Sequence, residues 1–115
     1  LSALAATDPA ALQMDAVELA AWRRDGVAHA VLDVREPWEL EICRLAGSID
    51  IPLHALPDAL DRLAGDVPLV AVCHHGVRSL QAVVWLRGQG FANAINLRGG
   101  VDRWAMLVDP TMRRY

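Results

Sequence analysis

The apolar run Pro68-Leu69-Val70-Ala71-Val72 passes without a break into Cys73-His74-His75-Gly76-Val77-Arg78-Ser79, and a helical pattern follows at once. A short, continuously apolar run reads as a strand buried on both faces of a parallel sheet. Ala30-Val31-Leu32-Asp33-Val34 has the same character, and Ala94 to Leu97 reads as a last strand. Strands alternating with helices through short connections imply a parallel sheet with helices on both faces. In that architecture chemistry gathers at the carboxyl ends of the strands, where Asp33, Arg35 and Cys73 all fall.

The rest of the chain supplies the crossovers. Asp15 to Arg24 predicts a helix, with Asp15 as its cap, Glu18 completing a capping-box spacing and Gly26 beyond its end. Ala11 to Met14, just before it, suits a short edge strand. Pro37 to Glu41 predicts a short helix opened by its proline, and Ser48 to Ile51 a brief strand stopped by Pro52. Leu56, Leu60 and Leu63 are spaced for one face of a helix that starts near Pro57 and ends at Gly65. Ser79 is placed to cap a helix carrying Leu80, Val83, Val84 and Leu86, closed by Gly88-Gln89-Gly90. Gly99-Gly100 turns the chain into a final helix over Val101 to Leu107, and Asp109 to Tyr115 reads as a tail.

Length and composition narrow the function. The 115 residues suit a single domain, 1–115, with a core over about 12–107 and a C-terminal tail over 108–115. Hydrophobic residues at 54% and charged residues at 22% are enough for a packed core. All 11 basic residues are arginines, which removes Schiff-base lysine chemistry and leaves anion recognition to guanidinium forks. Scattered on a chain of net charge −3, they form no stripe that would track nucleic-acid phosphates. Two cysteines, Cys43 and Cys73, are too few for a disulfide framework and fit a reducing, cytoplasmic compartment. No apolar run approaches the roughly 18 to 20 residues of a membrane span, and the N-terminus has no signal-peptide pattern. The chain begins at Leu1 rather than Met, which leaves room for a larger parent protein.

The loop after the central strand carries the chemistry. A thiolate, not a thiol, is the nucleophile, so a working cysteine needs surroundings that favour negative sulfur. The start of the following helix aims its dipole and unpaired N–H groups back at position 73. Gly76 lets the backbone turn tightly enough for N–H groups to converge into an anion nest. Arg78 adds a positive charge suited to a small oxyanion such as thiosulfate or sulfite. A buried packing cysteine beside a helix cap is the plainer alternative, and the spacing Cys-x-x-Gly-x-Arg-Ser between strand and helix argues against it.

Cys73 to Ser79 resembles the active-site loop of the rhodanese family of sulfurtransferases. Asp33-Val34-Arg35-Glu36, Ala46-Gly47-Ser48-Ile49-Asp50-Ile51-Pro52 and Leu97-Arg98-Gly99-Gly100-Val101-Asp102-Arg103-Trp104 resemble the family's other segments in the right order. Together they cover most of the chain from about Leu12 to Leu107. The resemblance implies a three-layer α/β/α fold around a mostly parallel five-stranded sheet. It also implies a double-displacement cycle. Cys73 takes the outer sulfur of thiosulfate as a persulfide, and a thiol, cyanide or a sulfur-relay protein accepts it. His74, His75, Gly76, Val77, Arg78 and Ser79 would then bind substrate, Asp33 and Arg35 would help hold the loop, and no metal or organic cofactor is needed.

Two competing readings keep Cys73. One is a sulfur-relay carrier that is loaded by a partner and barely turns over free thiosulfate. The other is a phosphatase of the related cell-cycle class, disfavoured because Cys73 to Arg78 is six residues inclusive and those phosphatases have one more. His74 and His75 either lend only their backbone N–H groups or tune the sulfur. Cys43 is expected to pack rather than to resolve a persulfide, and Trp22, Trp38, Trp85 and Trp104 to lie in the core or at an interface. Arg44 and Asp50 depart from the family pattern, in which His and Asn are common at these positions.

Overall fold

The computed structural model describes residues 9–115; the N-terminal segment read for a signal sequence lies outside them. Five strands, β1 (Gln13–Met14), β2 (Ala30–Asp33), β3 (Ile49–Asp50), β4 (Leu69–Val72) and β5 (Ala94–Leu97), form one sheet in the order β1-β5-β4-β2-β3. Every pairing is parallel. The α-helices are α1 (Ala16–Asp25), α2 (Pro37–Ile42), α3 (Val77–Gly88) and α4 (Gly100–Leu107).

Successive strand residues face opposite sides of a sheet, and here both sides are covered. Leu32, Leu69 and Ala71 meet Ala82, Val83 and Leu86 of α3 on one face. Val31, Val70 and Val72 meet Leu19 of α1 with Val101 and Trp104 of α4 on the other. Each fully buried Leu or Val is worth about 1.5–3 kcal/mol of transfer free energy, so these two layers fix the register of β4 and with it the position of Cys73. Among the described residues no helix is long and apolar enough to cross a membrane.

Three expectations are corrected. The segment with Leu56, Leu60 and Leu63 is not an α-helix but two 3₁₀ turns, Leu53–Asp58 and Leu60–Arg62. Pro57 lies inside the first turn, where it has no N–H to donate, and an i→i−4 ladder cannot run through it. Leu56 still reaches the core. Ala11 and Leu12 belong to a 3₁₀ turn, Pro9–Leu12, so the edge strand is only Gln13–Met14. Ser79 is not the cap of α3: that place falls to Gly76, at φ 94°, and Ser79 sits in the first turn with its side chain turned inward. The cap of α1 is as expected, with the Asp15 N–H donating to Glu18 Oε1 at 3.2 Å and Gly26 following at φ 70°.

Candidate active site

Cys73 leaves the end of β4 only 1% exposed. Its sulfur accepts the Gly76 N–H at 3.0 Å and lies 3.2 Å from the Ser79 hydroxyl. Both partners belong to the start of α3, so donors and helix dipole converge on one atom. This is why Ser79 does not cap: its hydroxyl serves the sulfur instead of an orphan N–H of the helix.

The outer side of the loop is tied down through its carbonyls. Val101 N–H donates to Cys73 O at 2.9 Å and Asp102 N–H to His74 O at 3.1 Å, so the first turn of α4 caps the loop. The approach requires Gly100, at φ 60°, because a Cβ there would run into the Cys73 and His74 backbone. Asn96, buried in β5, donates to Gly76 O at 3.1 Å and to Gln13 Oε1 at 3.0 Å, bracing the turn from the sheet.

Arg78 stands on α3 with its guanidinium turned to α2. Its Nη1 and Nη2 donate to Glu39 Oε1 and Oε2 at 2.6 and 2.8 Å. Those bonds from Arg78 hold the Glu39 carboxyl down at about 2 against the opposing effect of its burial. They also raise the Arg78 guanidinium further above its ordinary value.

Asp33 and Arg35 form a fully buried pair, Arg35 Nη2 donating to Asp33 Oδ2 at 2.7 Å and Nε to Oδ1 at 2.9 Å. The remaining Arg35 donors do not meet the Cys73 loop. They reach Glu39 O at 3.3 Å, Cys43 O at 2.7 Å and the Tyr115 hydroxyl at 3.1 Å. Cys43 is half-buried against the same guanidinium, its sulfur 3.8 Å from Nη1.

The closing segment, read from sequence as a tail, packs back over this side of the molecule through Val108, Met112 and Tyr115. The Tyr115 hydroxyl donates to Glu39 Oε2 at 2.6 Å. Its ring stacks on His74, centroids 3.7 Å apart and 10° between planes, with His75 on the other face of His74 at 3.8 Å. Trp38 meets the edge of Tyr115 at 5.9 Å and is otherwise exposed. Burial, followed by the charge of His75, lowers the pKa of His74, and burial pushes the Tyr115 phenol up to about 12.

His75 is exposed, 3.9 Å from Asp102. His74, His75 and Asp102 bring ligand atoms within 4.8 Å of one another, the one set among the described residues that could hold a metal ion. Asp102 is already paired with Arg114 at 2.9 Å. Val77, Leu80, Val84 and Trp85, with His75 and Gly76 of the loop, line an open, mostly apolar groove of about 730 Å³.

The structure sets Cys73 and its loop between β4 and α3, and beside them stand Glu39, Asn96 and Tyr115, which the sequence did not single out. Asn96 carried a signal, a lone amide in an otherwise apolar strand, which when buried must find partners. Glu39 carried a weaker one, lying three residues after Glu36 in a spacing that reads as helix capping; Glu36 N–H does donate to Glu39 Oε1 at 3.2 Å. The two departures Arg44 and Asp50 pair with each other at 2.9 Å, away from the loop.

The decisive comparison is a match of residues 15–107 to the rhodanese-like domain. The chain belongs to the rhodanese-like sulfurtransferase family. It is 35% identical over 74 residues to the thiosulfate sulfurtransferase GlpE of Ectopseudomonas mendocina, covering 64% of this chain and 68% of that protein. It is 35% identical over 100 residues to the probable adenylyltransferase/sulfurtransferase MoeZ of Mycobacterium tuberculosis, covering 85% of this chain and 26% of that protein. A chloroplastic rhodanese-like/PpiC domain-containing protein of Arabidopsis thaliana is matched over 30% of its length at 36% identity. The rhodanese-like domain therefore spans about a quarter to a third of these two longer relatives. Among solved structures, the CoADR-RHD protein of Bacillus anthracis superposes with a TM-score of 0.77 at 29% identity, over 90% of this chain and 18% of that one. A rhodanese-like domain protein of Staphylococcus aureus gives 0.77 over 90% of this chain and 97% of that one, and at 24% identity it speaks for the fold alone.

Proposed function

We propose that this rhodanese-like domain moves sulfane sulfur through a persulfide on Cys73. The observation that supports it is the sulfur's setting: a buried thiol that receives a backbone N–H and a hydroxyl at the start of a helix. In the first half-reaction the Cys73 thiolate attacks the outer sulfur of thiosulfate. The S–S bond breaks and sulfite leaves with its electron pair. In the second, a thiolate or cyanide attacks the terminal persulfide sulfur and the Cys73 thiolate departs. Gly76 and Ser79 hold negative charge on sulfur in both halves, His74, His75 and Val77 lend the loop's backbone, and Arg78 faces the donor's sulfonate. Asp33 and Arg35 support the loop at one remove, through Glu39 and Tyr115.

A second reading, the sulfur-relay carrier, is favoured by one observation. Both terminal nitrogens of Arg78 are engaged by Glu39, which weakens the loop's hold on a small dianion, while the groove beside it is apolar. A donor or acceptor thiol carried on a protein fits that surface better than free thiosulfate.

One experiment separates the readings. The protein is incubated with thiosulfate, its intact mass is inspected for one added sulfur, and cyanide is added to release thiocyanate. Loading and turnover that vanish in Cys73→Ser support the enzyme. Loading only from a persulfide-bearing protein supports the carrier. Full turnover in Cys73→Ser, or phosphate release from an aryl phosphate that needs Cys73, overturns both.

A further inference from the structure

The match to the family ends at residue 107, yet a residue beyond it bridges two ion pairs beside the loop. The Tyr115 hydroxyl accepts from Arg35 Nη1 at 3.1 Å and donates to Glu39 Oε2 at 2.6 Å. It therefore joins two carboxylate–guanidinium pairs into one chain, Asp33–Arg35–Tyr115–Glu39–Arg78. Glu39 Oε2 is shared, because Arg78 Nη2 donates to the same oxygen at 2.8 Å. Meanwhile the Tyr115 ring lies flat on His74, the residue next to Cys73.

We propose that Tyr115 is a positioning residue that sets the charge facing the Cys73 sulfur, its hydroxyl taking up part of the negative charge of the Glu39 carboxylate that Arg78 also binds while its ring backs His74. The physical argument is competition at one oxygen. A phenol donating to Oε2 takes up part of the carboxylate's negative charge, so less of it cancels the guanidinium beside the loop. Without the hydroxyl, Glu39 neutralises Arg78 more completely and the loop favours anionic reagents less. Segment 109–115 thereby tunes which sulfur donors the loop accepts. The application to donors rests on the proposed Cys73 chemistry; the effect on charge does not.

The test uses the full chain and two alkylating agents of nearly equal size, anionic iodoacetate and neutral iodoacetamide, with modification followed at Cys73 by peptide mass. The ratio of the two rates reads the charge at the sulfur, and a general loosening of the fold would raise both rates together. In Tyr115→Phe the iodoacetate-to-iodoacetamide ratio is expected to fall about threefold, the size of one hydrogen bond to a charged group acting partly through a neighbour. The KM for thiosulfate rises by a similar factor with kcat nearly unchanged. In Glu39→Gln the ratio rises, and Tyr115→Phe added to Glu39→Gln has no further effect, since the hydroxyl acts through that carboxylate. An unchanged ratio in Tyr115→Phe overturns the proposal, as does an equal fall in the Glu39→Gln background. A wild-type protein that never loads sulfur from thiosulfate would count against thiosulfate as donor, while the alkylation ratio would still decide the role of Tyr115.

Discussion

The Arg78 guanidinium and the Glu39 carboxylate face each other through two parallel hydrogen bonds of 2.6 and 2.8 Å, joining the helix that begins at the sulfur to the helix that follows β2. Glu39 is almost fully buried there, and its carboxyl titrates at about 2 instead of 4.5. A depressed carboxyl binds its proton less readily in the folded state than in the unfolded one. Its contribution to stability is complete above pH 4.5 and is lost as the pH falls toward 2. On the order of 3 kcal/mol is expected to disappear across that window. Urea unfolding at several acidic pH values should show this slope in the wild type and a flatter one in Glu39→Gln.

Tyr115 is the only tyrosine in the chain, so phenolate absorbance reads it alone. Burial and the Glu39 carboxylate, outweighing the Arg35 charge, push its phenol from 10 to about 12. An alkaline titration should show no phenolate until well above pH 10, and ionisation should coincide with loss of the fold or follow it. A raised phenol favours the folded state below pH 10 and ceases to do so as the pH rises through about 12. Phenolate appearing near pH 10 in the folded protein would mean that the closing segment is detached in solution.

How much of this was readable from sequence follows from the range of each interaction. β2, β4 and β5 were legible because burial on both faces leaves an apolar run, broken only by Asp33 in β2 and Asn96 in β5, and the loop because its cysteine, glycine, arginine and serine stand at fixed offsets. The stretch around Leu56 misled because helical spacing of leucines is compatible with 3₁₀ turns, and Pro57 decided between them by what it cannot donate. Ser79 misled because a serine before a helical run has two uses, and only the position of Cys73 Sγ selects the second. Tyr115 left no signal at all. Its partners Arg35 and Glu39 lie 80 and 76 residues away, and nothing in the sequence ending Arg113-Arg114-Tyr115 ties it to them.

The loop's dependence on a close backbone approach predicts a contrast between two glycines. Gly100→Ala forces an L residue to φ 60° and drives its Cβ into the Cys73 and His74 carbonyls. It should cost about 2 kcal/mol or more and lower sulfur transfer with it, since the same carbonyls position the loop. Gly88, the last residue of α3, has open space around a new Cβ, and Gly88→Ala should gain about 0.5 kcal/mol by reducing the freedom of the unfolded chain. Urea midpoints in the opposite order would mean that the contact between α4 and the loop does not persist in solution.

Ser79 offers the cleanest separation of stability from chemistry. It is fully buried, its hydroxyl 3.2 Å from the Cys73 sulfur, so Ser79→Ala removes one donor and fills nearly the same volume. The methyl leaves no orphan polar group on its own side, and stability should change by less than about 1 kcal/mol. Among the described residues the sulfur, in contrast, keeps only the Gly76 N–H as a donor, and in the proposed cycle it bears negative charge during attack and again during release. One hydrogen bond to a charged group, about 1.5–3 kcal/mol, lost where charge develops, corresponds to about a ten- to hundredfold fall in the rate of thiocyanate formation. Because both proposed half-reactions pass through the Cys73 thiolate, the fall should appear with thiosulfate or cyanide limiting. A fall confined to the thiosulfate half would place the hydroxyl on the donor's sulfonate instead of on the sulfur, and an unchanged rate would leave the thiolate to the backbone N–H and the helix dipole.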